Sequence, residues 1–168
     1  MKPHKNPYDL DEILSEIRGG SARSAVLLSA SLIDTVLGGA IREKMRPLTD
    51  KEQEEIFFGE GPLSTFSSRI KVAYALNVFG KRTRHDLDAL RKIRNDFAHS
   101  VEKIEFDSLK DKLAGFHCIQ GDAIGVDPRE LFADITRRLA LYLIWQIGNP
   151  EQFGRPDAEY RCLMRHFD

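Results

Sequence analysis

Between Ser21 and about Met45 the apolar residues Ala25, Val26, Leu27, Leu28, Leu32, Ile33, Val36, Leu37 and Ile41 fall on nearly every face of a helical wheel. A helix apolar almost all round must be covered by other elements on most sides, so this stretch is the central rod of the fold. Gly38-Gly39 costs about 1 kcal/mol per glycine relative to alanine, which points to close helix contact or a bend rather than to helicity. Asp34 is the exception on the rod. It lies among Leu27, Ala30, Leu37 and Ile41 on the wheel, where an isolated carboxylate is costly without a partner.

The elements that cover the rod announce themselves by their caps. Asp9 with Glu12 forms a capping-box pattern that opens a short helix ended by Gly19-Gly20, and Thr49 with Glu52 opens another to about Phe58. After the turn Gly59-Glu60-Gly61-Pro62, a helix from Leu63 to about Phe79 carries Phe66, Ile70, Ala73 and Leu76 on one stripe, with Arg69 inside it. Gly80 is expected to stop that helix and Thr83 with Asp86 to open the next, whose apolar face is Leu87, Leu90, Ile93, Phe97 and Val101. A short amphipathic segment follows around Leu109 to Phe116, then Cys118 to Val126 as a loop or one brief strand-like stretch. Asp127-Pro128-Arg129-Glu130 opens a last long helix to Gly148. The expectation is an all-α, single-domain bundle of about six or seven helices over residues 1–168, with an N-terminal arm (1–7) and a loose tail (149–168).

The chain has 168 residues, enough for one domain with a real core, and its charges nearly cancel to a net -1. No overall field draws it onto nucleic acid or an anionic membrane, so any such contact must come from a local patch. The longest continuous apolar run falls far short of the roughly 20 residues that span a bilayer, which predicts no membrane association. Two cysteines, Cys118 and Cys162, and an N-terminus without a leader pattern fit a cytoplasmic protein.

Chemistry concentrates in Leu90 to Ser100, LRKIRNDFAHS. Arg94, Asn95, Asp96 and His99 offer a planar donor set for phosphate or carboxylate and an imidazole that exchanges a proton near neutral pH. Such a set can cleave RNA, and it can equally make interhelical salt bridges and a helix cap. At about 100° per residue Arg94 falls on the apolar face, and His99 lies roughly 140° away if the helix continues. The two meet in one site only if the helix frays or a second subunit intervenes. Asp34, Arg69 and Arg94, charges on the apolar stripes of three helices, are expected to form one buried network whose breakage costs about 3–5 kcal/mol.

The run Arg94-Asn95-Asp96-Phe97-Ala98-His99 resembles the R-N-x-x-x-H signature of the HEPN superfamily, in which the motif often forms a ribonuclease site across a dimer interface. On a longer scale, SARSAVLLSASLIDTVLGGAI, GPLSTFSSRIKVAYALNVFG and LDALRKIRNDFAH, in this order and spacing, resemble the mannitol operon repressor (MtlR) family. The resemblance covers Ser21 to His99 well and the last third more loosely. It implies an all-helical bacterial protein linked to repression of mannitol uptake and use, without a recognisable DNA-reading module. A non-enzymatic repressor working through an unidentified protein partner is therefore expected, with a homodimer implied by the HEPN-like motif. The alternative is a metal-independent ribonuclease, or an inactive relative, using Arg94 and His99.

Other candidates are weighed beside these. Lys81, Arg82, Arg84, Arg91, Lys92 and Arg94 oppose only Asp86 and Asp88 and form a patch for nucleic acid or a partner, or simply a solvated face. A helix-turn-helix would have to use the helices flanking Gly80, whose second member carries a strong apolar stripe instead of exposed base-reading side chains. Ser64, Thr65, Ser67 and Ser68 at a helix start suit an anion or merely an N-cap. A pocket lined by Asp34, Arg69 and Arg94 could serve a small-molecule sensor. Cys162 and His166 with His117-Cys118 make a poor zinc set because adjacent residues point apart, and His4 and His85 read as surface residues. No metal or cofactor is expected.

Overall fold

The computed structural model describes residues 9–119 and 124–148. The expected arm and tail, and part of the expected loop after Cys118, lie outside the described residues. Within them the chain is all-α: α1 (Leu10–Gly19), α2 (Ala22–Arg42), α3 (Asp50–Phe57), α4 (Phe66–Ala75), α5 (Lys81–His99), α6 (Lys110–Ala114) and α7 (Pro128–Gly148), with 3-10 turns at Phe106–Leu109 and His117–Ile119. No strand occurs among the described residues.

The rod α2 is central as its composition requires, packing against α1, α4, α5 and α7. It is long and apolar enough to cross a bilayer by length and composition, with a mean hydropathy of 1.7 in its most apolar window, 61% of which is buried inside the protein. Protein covers it where lipid would otherwise have to. A Cβ on Gly39 would stand 3.3 Å from Ile147 Cδ1, so the glycine lets α2 and α7 approach closely. Deeper in the same contact, Thr136 and Ser29 share a hydrogen bond of 3.1 Å between fully buried hydroxyls.

Caps fix most helix starts. Thr49 and Glu52 form the reciprocal box on α3, and the backbone N–H of Thr49, followed by the side chains of Arg46 and Thr49, holds the Glu52 carboxyl down at about 2. Asp127 Oδ1 accepts from the backbone N–H groups of Arg129 and Glu130 at 2.9 and 3.3 Å and starts α7. Arg129 then reaches the C-terminal end of α1, donating to the carbonyls of Ile17, Arg18 and Gly20, while its guanidinium stacks 4.7 Å over the Phe106 ring.

Two boundaries differ from expectation. Helix α4 stops at Ala75, because Asn77 turns left-handed at φ 56° and lets Val78 N–H bond back to the Ala73 carbonyl. Asparagine tolerates that conformation, so it does the work expected of Gly80. Gly80 instead caps α5, which begins before Thr83. Thr83 and Asp86 are therefore fully buried residues inside the helix and not its capping box.

Candidate functional site

The floor of the site is built on Arg69. Directly after the turn that leaves α3, Leu63 N–H bonds the Ile56 carbonyl at 2.9 Å. A Cβ on Gly61 would sit 2.5 Å from the Glu55 carbonyl oxygen, so only glycine allows this tight return. The turn aims the Leu63 carbonyl at Arg69, which donates to it and to the Phe57 carbonyl, both at 2.8 Å, and to Asp34 Oδ2 at 2.9 Å. Arg69 is only 7% exposed, and its guanidinium lies 5.7 Å over the Phe57 ring. One buried arginine thus ties α2, α3 and α4 together.

Asp34 is the link from this floor to the surface. Its Oδ2 is held by Arg69, whereas Oδ1 is buried without a hydrogen-bond partner. Burial pushes the carboxyl above the ordinary aspartate value of 3.8, and the charge and hydrogen bond of Arg69, followed by the charge of Arg94, oppose that rise. Asp34 also lines a cleft of about 580 Å³, together with Leu27, Ala30 and Ser31 of α2, residues 64–67 at the start of α4, and Arg91, Arg94 and Asn95 of α5. Arg69 stays beneath this cleft.

Arg94 corrects the expectation of a buried three-residue network. It is exposed, and its Nη1 donates to Asn95 Oδ1 at 3.1 Å, with no carboxylate in ion-pair reach among the described residues. The wheel places it on the inner side of α5, but there it lines the open cleft between α5, α2 and the start of α4. Asp34 and Arg69 alone form the close pair, and Arg94 faces the same carboxylate across the opening.

The remaining candidates are scattered. Helix α5 runs unbroken through His99, which is exposed and outside the cleft lining, so Arg94 and His99 remain apart in one chain. Asp96 turns to Lys112 of α6 in an ion pair of 3.0 Å. In the basic run, Asp88 is shared by Arg84 at 3.8 Å and Arg91 at 3.4 Å, and Arg84 stacks 4.5 Å over Tyr74. Lys81, Arg82 and Lys92 are exposed. Of the hydroxyls at the start of α4, Ser64, Thr65 and Ser67 line the cleft, and Thr65 also caps Ser68 N–H at 3.1 Å. The apolar residues Leu87, Leu90, Ile93 and Phe97 of α5 are buried against the bundle.

One constellation was not visible in the sequence. Asp86, wholly buried, accepts the backbone N–H groups of His117 and Cys118 at 2.8 and 2.9 Å, and His85 Nδ1 lies 3.3 Å from its Oδ1. Ligand atoms of His85, Asp86 and His117 all lie within 4.8 Å of one another, a spacing a small side-chain movement could close on a cation. Both carboxylate oxygens already receive backbone protons, however, and this gives Asp86 an anchoring role. Cys162 and His166 lie outside the described residues.

Fold and site together define a small all-α bundle with an arginine-lined cleft opening from its core, assembled from three helices. Comparisons with protein-family models and with curated protein sequences find no match for the chain. Among solved structures it is similar to a chain of the X-ray structure of the MtlR-HPr complex from Escherichia coli, with a TM-score of 0.61 and 18% identity, covering 83% of this chain and 96% of that one. At this identity the likeness is one of fold, and the fold is MtlR-like.

Proposed function

We propose that the protein is a cytoplasmic transcriptional regulator of the mannitol operon repressor type, acting by binding a protein partner and not by catalysis. The observation that carries this reading is the fold likeness, over most of both chains, to a chain from an MtlR-HPr complex. HPr, or a protein of its kind, is the partner this nominates. One feature of the site agrees: Arg94 and His99 stand apart on one unbroken helix. Self-association belongs to the same proposal, as a second copy is what could bring another His99 to Arg94.

Labelled RNA incubated with the protein and with His99→Ala, beside light scattering of each at micromolar concentration, tests this. Dimeric mass and intact RNA in both samples are expected. Cleavage by the wild-type protein that His99→Ala abolishes would replace the regulator reading with the ribonuclease one, and monomeric mass throughout would remove the dimer.

A further inference from the structure

The cleft above Asp34 has a distinct chemistry. Its volume of about 580 Å³ lies in the range of small-molecule sites. Counting Arg69, Arg84, Arg91 and Arg94 against Asp34 and Asp88, the neighbourhood carries two uncompensated positive charges. Arg91 shares its carboxylate and Arg94 has none, so both retain donors for an incoming oxyanion. Beside them is a group of opposite demand. Asp34, a residue of the cleft wall, has a carboxylate whose Oδ1 is buried without a donor. A plain anion would satisfy the arginines and be repelled by that carboxylate, and a neutral polyol would do the reverse.

We propose that this cleft binds a small organic oxyanion, a phosphate ester or a carboxylate, whose carbon skeleton carries a hydroxyl group. Arg91 and Arg94 hold the anionic end, and the hydroxyl donates to the part-exposed Asp34 carboxylate. Asn95, whose Oδ1 is already engaged by Arg94, has its amide N–H groups left to donate, and Ser64 and Ser67 bring hydroxyls from the opposite wall. Because Oδ2 of this carboxylate holds Arg69, ligand contact with Asp34 acts on the joint between α2, α3 and α4. The site thus has the position of an effector site and does not depend on which protein the chain binds.

Calorimetry and amide-shift mapping on the full chain with glycerol 3-phosphate, glycerate, inorganic phosphate and glycerol test the proposal. Glycerol 3-phosphate or glycerate should bind about tenfold or more tightly than inorganic phosphate, glycerol should not bind, and shifts should centre on residues 64–67 and 91–95. Whichever of the first two binds better identifies the anionic group. Arg94→Ala, an exposed position whose loss should leave the melting temperature unchanged, should weaken that binding about tenfold or more. The proposal is overturned if none of the probes saturates at millimolar concentration, if inorganic phosphate binds as well as both hydroxylated anions, or if Arg94→Ala binds like wild type.

Discussion

Arg69→Ala is expected to lower stability by about 3–5 kcal/mol in urea denaturation. The size follows from what is left behind: the buried carbonyls of Leu63 and Phe57 each lose a charge-assisted donor, and Asp34 loses the guanidinium that neutralises it. Alanine suits the helix, so the loss cannot be assigned to helix propensity. Pairing the change with Asp34→Leu should recover part of it, because the uncompensated charge is then gone. The effect should also depend on pH with a definite sign. The folded carboxyl of Asp34 sits above its ordinary 3.8, so the native state holds that proton more tightly than the unfolded chain. Stability from this group is therefore present below 3.8 and is lost as pH rises through the folded value. Without Arg69 the folded value climbs further, so the deficit of the variant should be smallest in acid and grow towards neutrality. A deficit under about 1 kcal/mol at neutral pH, the range of a surface pair, would show that Arg69 is not the joint described here.

Asp86→Ala is expected to cost roughly 2–4 kcal/mol, since two backbone N–H groups, of His117 and Cys118, lose their acceptor in a closed environment. Asp86→Asn keeps one acceptor oxygen and should lose about half as much. The turn they belong to is held from the other side by Arg138, which donates to the Cys118 carbonyl at 3.1 Å. Detachment should therefore be local, and the amides of His117 and Cys118 should exchange with solvent much faster in the alanine variant. Unchanged exchange at both amides would mean that the turn is held by packing alone.

The fold was largely legible because its signals are local. Thr49 with Glu52, and Asp127-Pro128 ahead of Glu130, mark helix starts through groups within three residues of each other, and the apolar wrap of α2 needs no partner to be read as central. The errors came where a local pattern had a distant use. Thr83 and Asp86 have capping-box spacing, but Asp86 is committed to a turn 31 and 32 residues further on. Arg94 falls on the inner side of α5, but a wheel carries no information about where along the axis a cleft opens. The site was half visible for the same reason. Charges on apolar stripes revealed that Asp34 and Arg69 need each other, since desolvation makes such positions costly alone. That Ser64 and Ser67 share a cleft with Arg91 and Arg94 depends on the crossing of α2, α4 and α5, which no spacing within one helix encodes.

Partner binding is most directly decided by titrating HPr from the same organism into the full chain by calorimetry, with the mass of the mixture followed by light scattering. A protein acting through such a partner should give saturable heat and a complex heavier than either component. Flat heat and unchanged masses at the highest attainable concentrations would contradict that mode of action.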